Sequence, residues 1–401
     1  MSTNSTNYKQ IFLKHGKQES LLRHHPWVFS GAISRVSDQI EEGEIVDVLT
    51  SSGDFIARGH SQVGSIAVRV LTFEPESIDE AWWRGRIASA LEVRRALGLV
   101  GNEKTTCYRL VHGEGDNLPG LVVDIYGSTA VVQCHSVGMY LSLNEIVNAL
   151  RANFGQSLRA IYNKSSQTLP FKADIEAEDG YLWGEGQGEE IVLEGGHKFA
   201  VNWAKGQKTG FFIDQRANRE LVGHYAKGRN LLNTFCYTGG FSIYALAGEA
   251  RSVTSVDSSG LAIELVDRNV ALNFPEGAPH RSAAMDTFDF LRTVEDGEYD
   301  MIILDPPAFA KHHKVLGNAL QGYKRLNARA MEKIAKGGIL FTFSCSQAVS
   351  KEQFRLAVFS AAAIAGRKVR ILHQLTQPTD HPINIYHPEG EYLKGLVLYV
   401  E

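Results

Sequence analysis

The spacing of apolar positions changes twice along the chain. In residues 9–73 they come in short runs, 10–13, 45–49, 55–59 and 66–71, split by turn formers such as Ser51-Ser52-Gly53-Asp54. That pattern predicts a small β-barrel or sandwich. After Glu74-Pro75 the period becomes helical: Trp82, Trp83, Ile87, Leu91, Val93 and Leu97 mark a helix over 78–97 that stops at Gly98. Runs at 121–125 and 129–133 around Tyr126-Gly127-Ser128 predict a hairpin, followed by a helix near 141–154 and a strand at 158–162. Residues 75–185 therefore read as an α+β segment of their own.

Beyond Gly210 strands and helices alternate strictly. Apolar strands are expected at 230–235, 252–256, 301–304 and 339–343, a grammar that favours a parallel, doubly wound α/β sheet. The clearest helix opens on Ser350 with Gln353 three residues on, a capping-box pattern, and carries Phe354, Ala357, Val358, Ala361 and Ala365 before Gly366. Two last strands, 369–375 and 395–400, are joined by a Pro-rich loop, so they are expected to close the sheet as an antiparallel pair. The expected division is 1–74, 75–190 and 191–401.

Length agrees with that division, since 401 residues at roughly 100 to 200 per domain make two or three domains. The composition, 44% hydrophobic and 21% charged, is that of a globular chain. A net charge of −4 offers nucleic acid no global attraction, so such a role must rest on local patches. Two exist. Residues 174–194 hold eight acids and no Lys or Arg, which reads as a solvated face or loop. Residues 308–336 hold Lys311, Lys314, Lys324, Arg325, Arg329, Lys333 and Lys336 against Glu332 alone, a local +6. A charge run is more often a solvated helix face than a contact surface. The four cysteines, Cys107, Cys134, Cys236 and Cys345, form no CxxC pair, which argues against a zinc site and a disulfide scaffold. No apolar run approaches the length of a membrane span, and the polar residues 1–10 lack a signal peptide's apolar stretch; a cytoplasmic protein without membrane contact is expected.

The first strand of the α/β region runs into Asn233-Thr234-Phe235-Cys236-Tyr237-Thr238-Gly239-Gly240 and then a helix. Adjacent glycines let backbone approach a ligand, and a helix start offers free N–H groups; a plain tight turn explains the glycines alone equally well. The second strand ends in Val256-Asp257, where a carboxylate can take both hydroxyls of an adenosine ribose. A nicotinamide cofactor and S-adenosylmethionine both fit that much. The strand at 301–304 ends in Asp305-Pro306-Pro307 and the strand at 339–343 runs into Ser344-Cys345-Ser346. A dehydrogenase needs neither a carboxylate nor a thiol there.

Glycine turn, ribose acid, Asp-Pro-Pro and strand-end cysteine, with Gly206-Gln207-Lys208-Thr209-Gly210-Phe211-Phe212-Ile213-Asp214-Gln215-Arg216, resemble the ribosomal RNA large subunit methyltransferase I family. The resemblance spans nearly the whole chain. It implies a PUA-like barrel at 1–74, a central EEHEAD-type domain at 75–190 and a Rossmann-like class I methyltransferase with a seven-stranded, mostly parallel sheet at 191–401. It further implies S-adenosylmethionine as cofactor, 23S ribosomal RNA as partner, 5-methylcytosine as product and a homodimer. For the cofactor it implies Gln215, Asn233, Phe235, Tyr237, Thr238, Gly239, Gly240, Asp257, Ser258, Asp286 and Thr287, with Asp305 at the same cleft. Asp286 also reads as a helix N-cap, and Asp214 as the cap of the helix before the sheet.

The chemistry asks for a thiolate, because carbon 5 of cytosine is too poor a nucleophile until a nucleophile adds at carbon 6. Cys345 is the candidate, its pKa to be lowered by positive charge from the basic stretch; the bland reading is an inert strand-end cysteine. Asp305 either removes the carbon 5 proton or holds the base or the cofactor. Many related RNA 5-methylcytosine enzymes carry a second cysteine in the motif that here reads Asp305-Pro306-Pro307; Ala308 follows it. Cys236, Cys107 and Cys134 read as packing residues. Position beside Asp-Pro-Pro favours phosphate contact by Lys311 and Lys314, with Lys324 and Arg325 behind them; Arg23 in the barrel is assigned RNA docking by analogy. Two other readings stay open: methylation of an exocyclic amine or a guanine, which leaves Cys345 dispensable, and a non-catalytic RNA-binding ribosome-assembly factor.

Overall fold

The computed structural model describes residues 8–170, 175–309 and 316–401. The chain forms two compact units, one holding the residues up to Glu190 with Val201–Phe211 and Thr379–Gly390, the other Ile191–Ala200, Phe212–Pro378 and Glu391–Glu401.

The first unit contains two sheets. The six-stranded one runs in the order Trp27–Phe29, Ile66–Thr72, Phe55–Ser61, Ile45–Leu49, Lys9–Leu13 and Ile33–Val36. It closes over Ile11, Leu13, Val46, Val48, Ala57, Val68 and Val70, the alternate positions of the predicted short strands. Gly59 is obligatory there, because a Cβ would lie 2.1 Å from the Arg69 carbonyl oxygen of the paired strand. The five-stranded sheet runs Gly180–Trp183, Ala160–Asn163, Thr129–Cys134, Leu121–Tyr126 and Cys107–His112. Helices Glu80–Ala96, capped by Asp79 through the Trp82 N–H, and Leu143–Phe154 bury Trp83, Ile87, Leu91, Ile146 and Leu150 in its core. Segment Thr379–Gly390 is tied in by Arg94, fully buried, which donates to both Asp116 oxygens and to the Asp380 carbonyl at 2.8 Å.

In the second unit, strands are numbered β1 (Asn230–Thr234), β2 (Ser252–Asp257), β3 (His280–Ala284), β4 (Met301–Leu304), β5 (Gly338–Ser344), β6 (Val369–Leu375) and β7 (Lys394–Val400), and helices α1 (Arg216–Tyr225), α2 (Gly240–Ala247), α3 (Gly260–Asn273), α4 (Thr287–Thr293), α5 (Leu316–Lys333) and α6 (Lys351–Ile364). The sheet order is β3-β2-β1-β4-β5-β7-β6, parallel except for β7, which pairs antiparallel with both β5 and β6. The expected seven-stranded, mostly parallel Rossmann-like fold is thus present. Its central strands are covered on both faces, which is why they read as unbroken apolar runs: Met301, Ile302, Ile303 and Leu304 are all fully buried. The capping box of Ser350 and Gln353 forms as expected at the start of α6.

One expectation fails within the acidic run. Glu194 is fully buried rather than solvated, because Arg219 of α1 grips both its oxygens at 2.7 Å. Charge counting along a sequence cannot see a partner twenty-five residues away.

His60 sits 1% exposed in the first unit, under Gly138, where a Cβ would lie 2.2 Å from its ring. Burial pulls its pKa down to about 4. Between pH 6.5 and about 4 the unfolded chain therefore binds a proton that the folded imidazole refuses, and stability falls with pH by up to about 1.4 kcal/mol per unit. Urea midpoints at pH 7 and pH 5 check this: His60→Met should show a smaller drop between the two pH values than the parent chain.

Candidate active site

The carboxyl edge of the parallel strands gathers the candidate residues. β1 leads into a turn whose Phe235 (φ +53°) and Tyr237 (φ +46°) occupy the left-handed region, followed by Gly239 at φ +78°. Non-glycine residues hold that conformation only where their surroundings over-determine it. Here the Cys236 N–H donates to the Val256 carbonyl at 3.1 Å, the Gly239 N–H to the Cys236 carbonyl at 2.8 Å, and Asn269 of α3 donates to the Thr238 carbonyl at 2.9 Å. Gly240 opens α2, and a Cβ there would lie 2.8 Å from the Arg219 side chain. Asn233 is fully buried; its Nδ2 donates to Ser242 Oγ at 2.9 Å, and its Oδ1 has no partner among the described residues.

Along the edge, Asp257 ends β2 half-buried, accepting from the Tyr237 and Ser259 N–H groups at 3.0 Å each, beside exposed Ser258. Asp286, exposed after β3, caps α4 by accepting from the Phe288 and Asp289 N–H groups at 2.8 and 3.2 Å, beside buried Thr287. Asp214 is not the cap of α1. The cap position is Gln215, and Asp214 lies one residue earlier in a short 3-10 turn, accepting from the Tyr392 hydroxyl at 2.7 Å.

On the other side of β1, Asp305 follows β4 half-buried and accepts from Gln215 Nε2 at 3.1 Å; the Gln215 oxygen in turn accepts from Asn218 Nδ2 at 2.6 Å. Cys345 follows β5 half-buried, whereas Cys107, Cys134 and Cys236 are buried. Tyr323 of α5 links the two: its hydroxyl accepts from Ser344 Oγ at 2.9 Å, and burial, with the charges of Cys345 and Asp305 added, pushes its pKa up to about 12. Lys394 of β7 stands directly across from Ser344, only 6% exposed, its Nζ donating to the Ser346 and Val349 carbonyls at 2.5 and 2.6 Å. Burial pulls this ammonium down to about 8.

Asn218, Tyr323 and Lys394 were not among the residues marked from the sequence. Lys394 carried a signal, as the one charge within Leu393-Lys394-Gly395-Leu396-Val397-Leu398; Tyr323 was masked by the basic residues around it. Of the expected RNA contacts, Arg325 is exposed and Lys324 half-buried on α5, and Arg23 is exposed in the first unit. Lys311 and Lys314 lie outside the described residues.

The donor set suits an adenosine with an amino-acid tail. Two carboxylates in succession, Asp257 and Asp286, match vicinal hydroxyls and an exocyclic amine, and a glycine turn with the buried Asn233 Oδ1 offers close backbone and an acceptor. Among the described residues no helix is long and apolar enough to cross a membrane.

Comparison with known proteins agrees with this geometry. Residues 108–385 match the S-adenosylmethionine-dependent methyltransferase family profile, and residues 11–73 a PUA-like domain. The chain is 41% identical over 394 residues to the Ribosomal RNA large subunit methyltransferase I of Tolumonas auensis, covering 97% of this chain and 98% of that one. Its fold is that of a solved chain from Streptococcus mutans described as a SAM-dependent methyltransferase (TM-score 0.82, 23% identity, 98% of this chain and 100% of that one). It is also that of a solved chain described as a methyltransferase complexed with SAH (TM-score 0.83, 23% identity, the same coverage). The family match and a relative covered nearly end to end, on a fold with this glycine turn, make this chain a member of the ribosomal RNA large subunit methyltransferase I family, with S-adenosylmethionine as its cofactor.

Proposed function

We propose that the protein methylates carbon 5 of a cytosine in 23S ribosomal RNA through a covalent adduct on Cys345. The observation that carries this reading is the half-buried Cys345, following β5 and sharing Tyr323 as a neighbour with Asp305, while the other three cysteines are buried. The full-length relative's name supports ribosomal RNA as the substrate, and with it a cytoplasmic setting. Residues 1–74 and 75–190 are read as the RNA-docking barrel and the central domain, and 191–401 as the catalytic part, with Arg23, Lys311, Lys314, Lys324 and Arg325 on phosphates and a homodimer as the assembly.

Bound S-adenosylmethionine would supply an electrophilic methyl group, the S–CH3 bonding pair staying on its sulfur, which leaves as the neutral thioether. Asp257, with Ser258 beside it, is read as holding the ribose, Asp286 and Thr287 the adenine end, and Asn233, Phe235, Tyr237, Thr238, Gly239 and Gly240 the methionine portion. The target base must be unpaired or flipped to reach the edge. The Cys345 thiolate adds to carbon 6, its lone pair forming the S–C6 bond while the C5=C6 π pair moves to carbon 5, which becomes nucleophilic enough to accept the methyl group. Asp305, aimed by Gln215 and Asn218, then removes the carbon 5 proton; the C–H pair restores C5=C6 and expels the thiolate. With Ala308 after Asp-Pro-Pro, release uses no second thiol from that motif.

Labelled S-adenosylmethionine, undermodified 23S RNA and analysis of the methylated nucleoside test the reading. The expected product is 5-methylcytidine, and Cys345→Ala should yield none; full activity of that variant, or a label on an exocyclic amine or a guanine, would exclude the covalent route. Asp305→Asn should slow turnover roughly 10²- to 10⁴-fold and let an RNA–protein adduct stable to detergent accumulate, visible as a shifted band on a denaturing gel. Asp257→Ala should weaken cofactor binding roughly 10- to 100-fold by titration calorimetry, the value of a charge-assisted hydrogen-bond pair.

A further inference from the structure

The proposed reaction needs Cys345 as a thiolate near neutral pH, while a free thiol titrates near 8.5. Positive charge was expected from the basic run 308–336, but the described cation nearest to this need lies elsewhere. Lys394 enters from β7, whose antiparallel pairing sets it directly opposite Ser344, the residue before Cys345. Its ammonium is anchored to the carbonyls of Ser346 and Val349, so the backbone that follows Cys345 wraps around it. Both acceptors are neutral. Glu391, an acid whose charge acts on Lys394, is ion-paired with Lys351, and among the described residues no carboxylate lies within salt-bridge distance of Lys394.

We infer that Lys394 is a positioning residue for the nucleophile: a fixed, buried cation whose field holds Cys345 as thiolate while its two carbonyl bonds set the loop that carries the thiol. This deepens the reading of Cys345 as nucleophile and rests on it.

Three observations support it. First, an ammonium kept 6% exposed against neutral partners is costly unless its charge has a use, because hydration is lost without a counter-ion in return. Second, Lys394 and Cys345 feel one another: the thiolate's charge raises the lysine's pKa against the lowering effect of burial, and linkage makes the effect mutual. Burial brings the lysine to about 8, which leaves it protonated at neutral pH and the field in place. Third, among the described residues, Tyr323 stays neutral, the Asp305 charge opposes a thiolate, and Lys351 is shared with Glu391.

Alkylation of Cys345 by iodoacetamide in the free protein, followed by peptide mapping from pH 5 to 10, reads the thiol directly, since the other three cysteines are buried. Wild-type Cys345 should titrate below the ordinary thiol value. In Lys394→Met the midpoint should rise by about one unit and the rate at pH 7 fall about tenfold, the thiolate fraction lost with one pKa unit; Lys394→Arg, always charged, should keep the low midpoint. An unchanged profile in folded Lys394→Met overturns the inference. If that variant does not fold, the wild-type profile decides, and a midpoint at or above about 8.5 overturns it. Alkylation needs neither RNA nor cofactor, so failure of the nucleophile reading, seen as methyl transfer surviving Cys345→Ala, registers separately.

Discussion

The register of the parallel strands is the constraint on which the site depends. Thr234 pairs with Val256 on one side and Leu304 on the other, Leu304 pairs with Thr342, and Asp257 with Ala284. Each strand therefore gives out within a residue or two of its neighbours, and whatever follows the last ladder position projects from one edge. Phe235, Asp286, Asp305 and Cys345 are such residues, and Asp257 is the last ladder position of β2 itself. Because side chains alternate faces with a period of two, a slip of one residue in β4 would turn Asp305 away and bury it. The continuous apolar run of β4 and Leu231 and Leu232 of β1 are fully buried, so a slip that drew a carboxylate into their place would be costly, and the packed core and the chemistry are specified together.

Buried charge then shapes what the edge can do. Glu194 and Arg219 neutralise each other within the unit, and the Arg219 guanidinium also donates to the Phe212 carbonyl at 3.0 Å. The arginine passes beneath the start of α2, which explains two glycines in a row on different grounds. Gly239 is needed for its positive φ, and Gly240 because any side chain would displace Arg219. Removing one partner of such a pair leaves the other charge stranded, at a cost of about 3 to 5 kcal/mol. The glycine turn is thus supported by an ion pair contributed from outside the turn's own motif.

Much of this was legible in the sequence, for a physical reason in each case. Strands covered on both faces are rich in apolar residues, so β4 and the Ile339–Phe341 stretch of β5 announce themselves; the capping box marks α6; the Pro-rich connection distinguishes β6 and β7 from the helix-linked strands. The motif residues at strand ends could be named because their positions follow from the strands. Pairings across long stretches of chain could not. The acidic run suggested solvation, and Glu194 is buried because of Arg219. Asp214 looked like a helix cap, and its carboxylate instead receives Tyr392, which is 178 residues later. The cation for Cys345 was sought in the basic run 308–336, whose Lys311 and Lys314 lie outside the described residues; the Lys394 inferred above comes from β7, paired across the sheet with Ser344, which no spacing in the sequence marks.

That last displacement follows from the topology. In a wholly parallel sheet, both neighbours of β5 would leave only their carboxyl ends at this edge. Inserting β7 antiparallel brings an amino end there instead, so its first residue, Lys394, meets the last residue of β5. A lysine at that position has its long stem covered by the sheet and its ammonium at the rim where Cys345 begins, with carbonyls of the turn as its acceptors among the described residues. A carboxylate in their place would neutralise the ammonium and leave the thiol with no net field, and a solvent-exposed lysine would be screened. The reversed strand thus gives the carboxyl edge something parallel strands do not deliver as directly: a rigid cation, low in dielectric screening, beside a thiol.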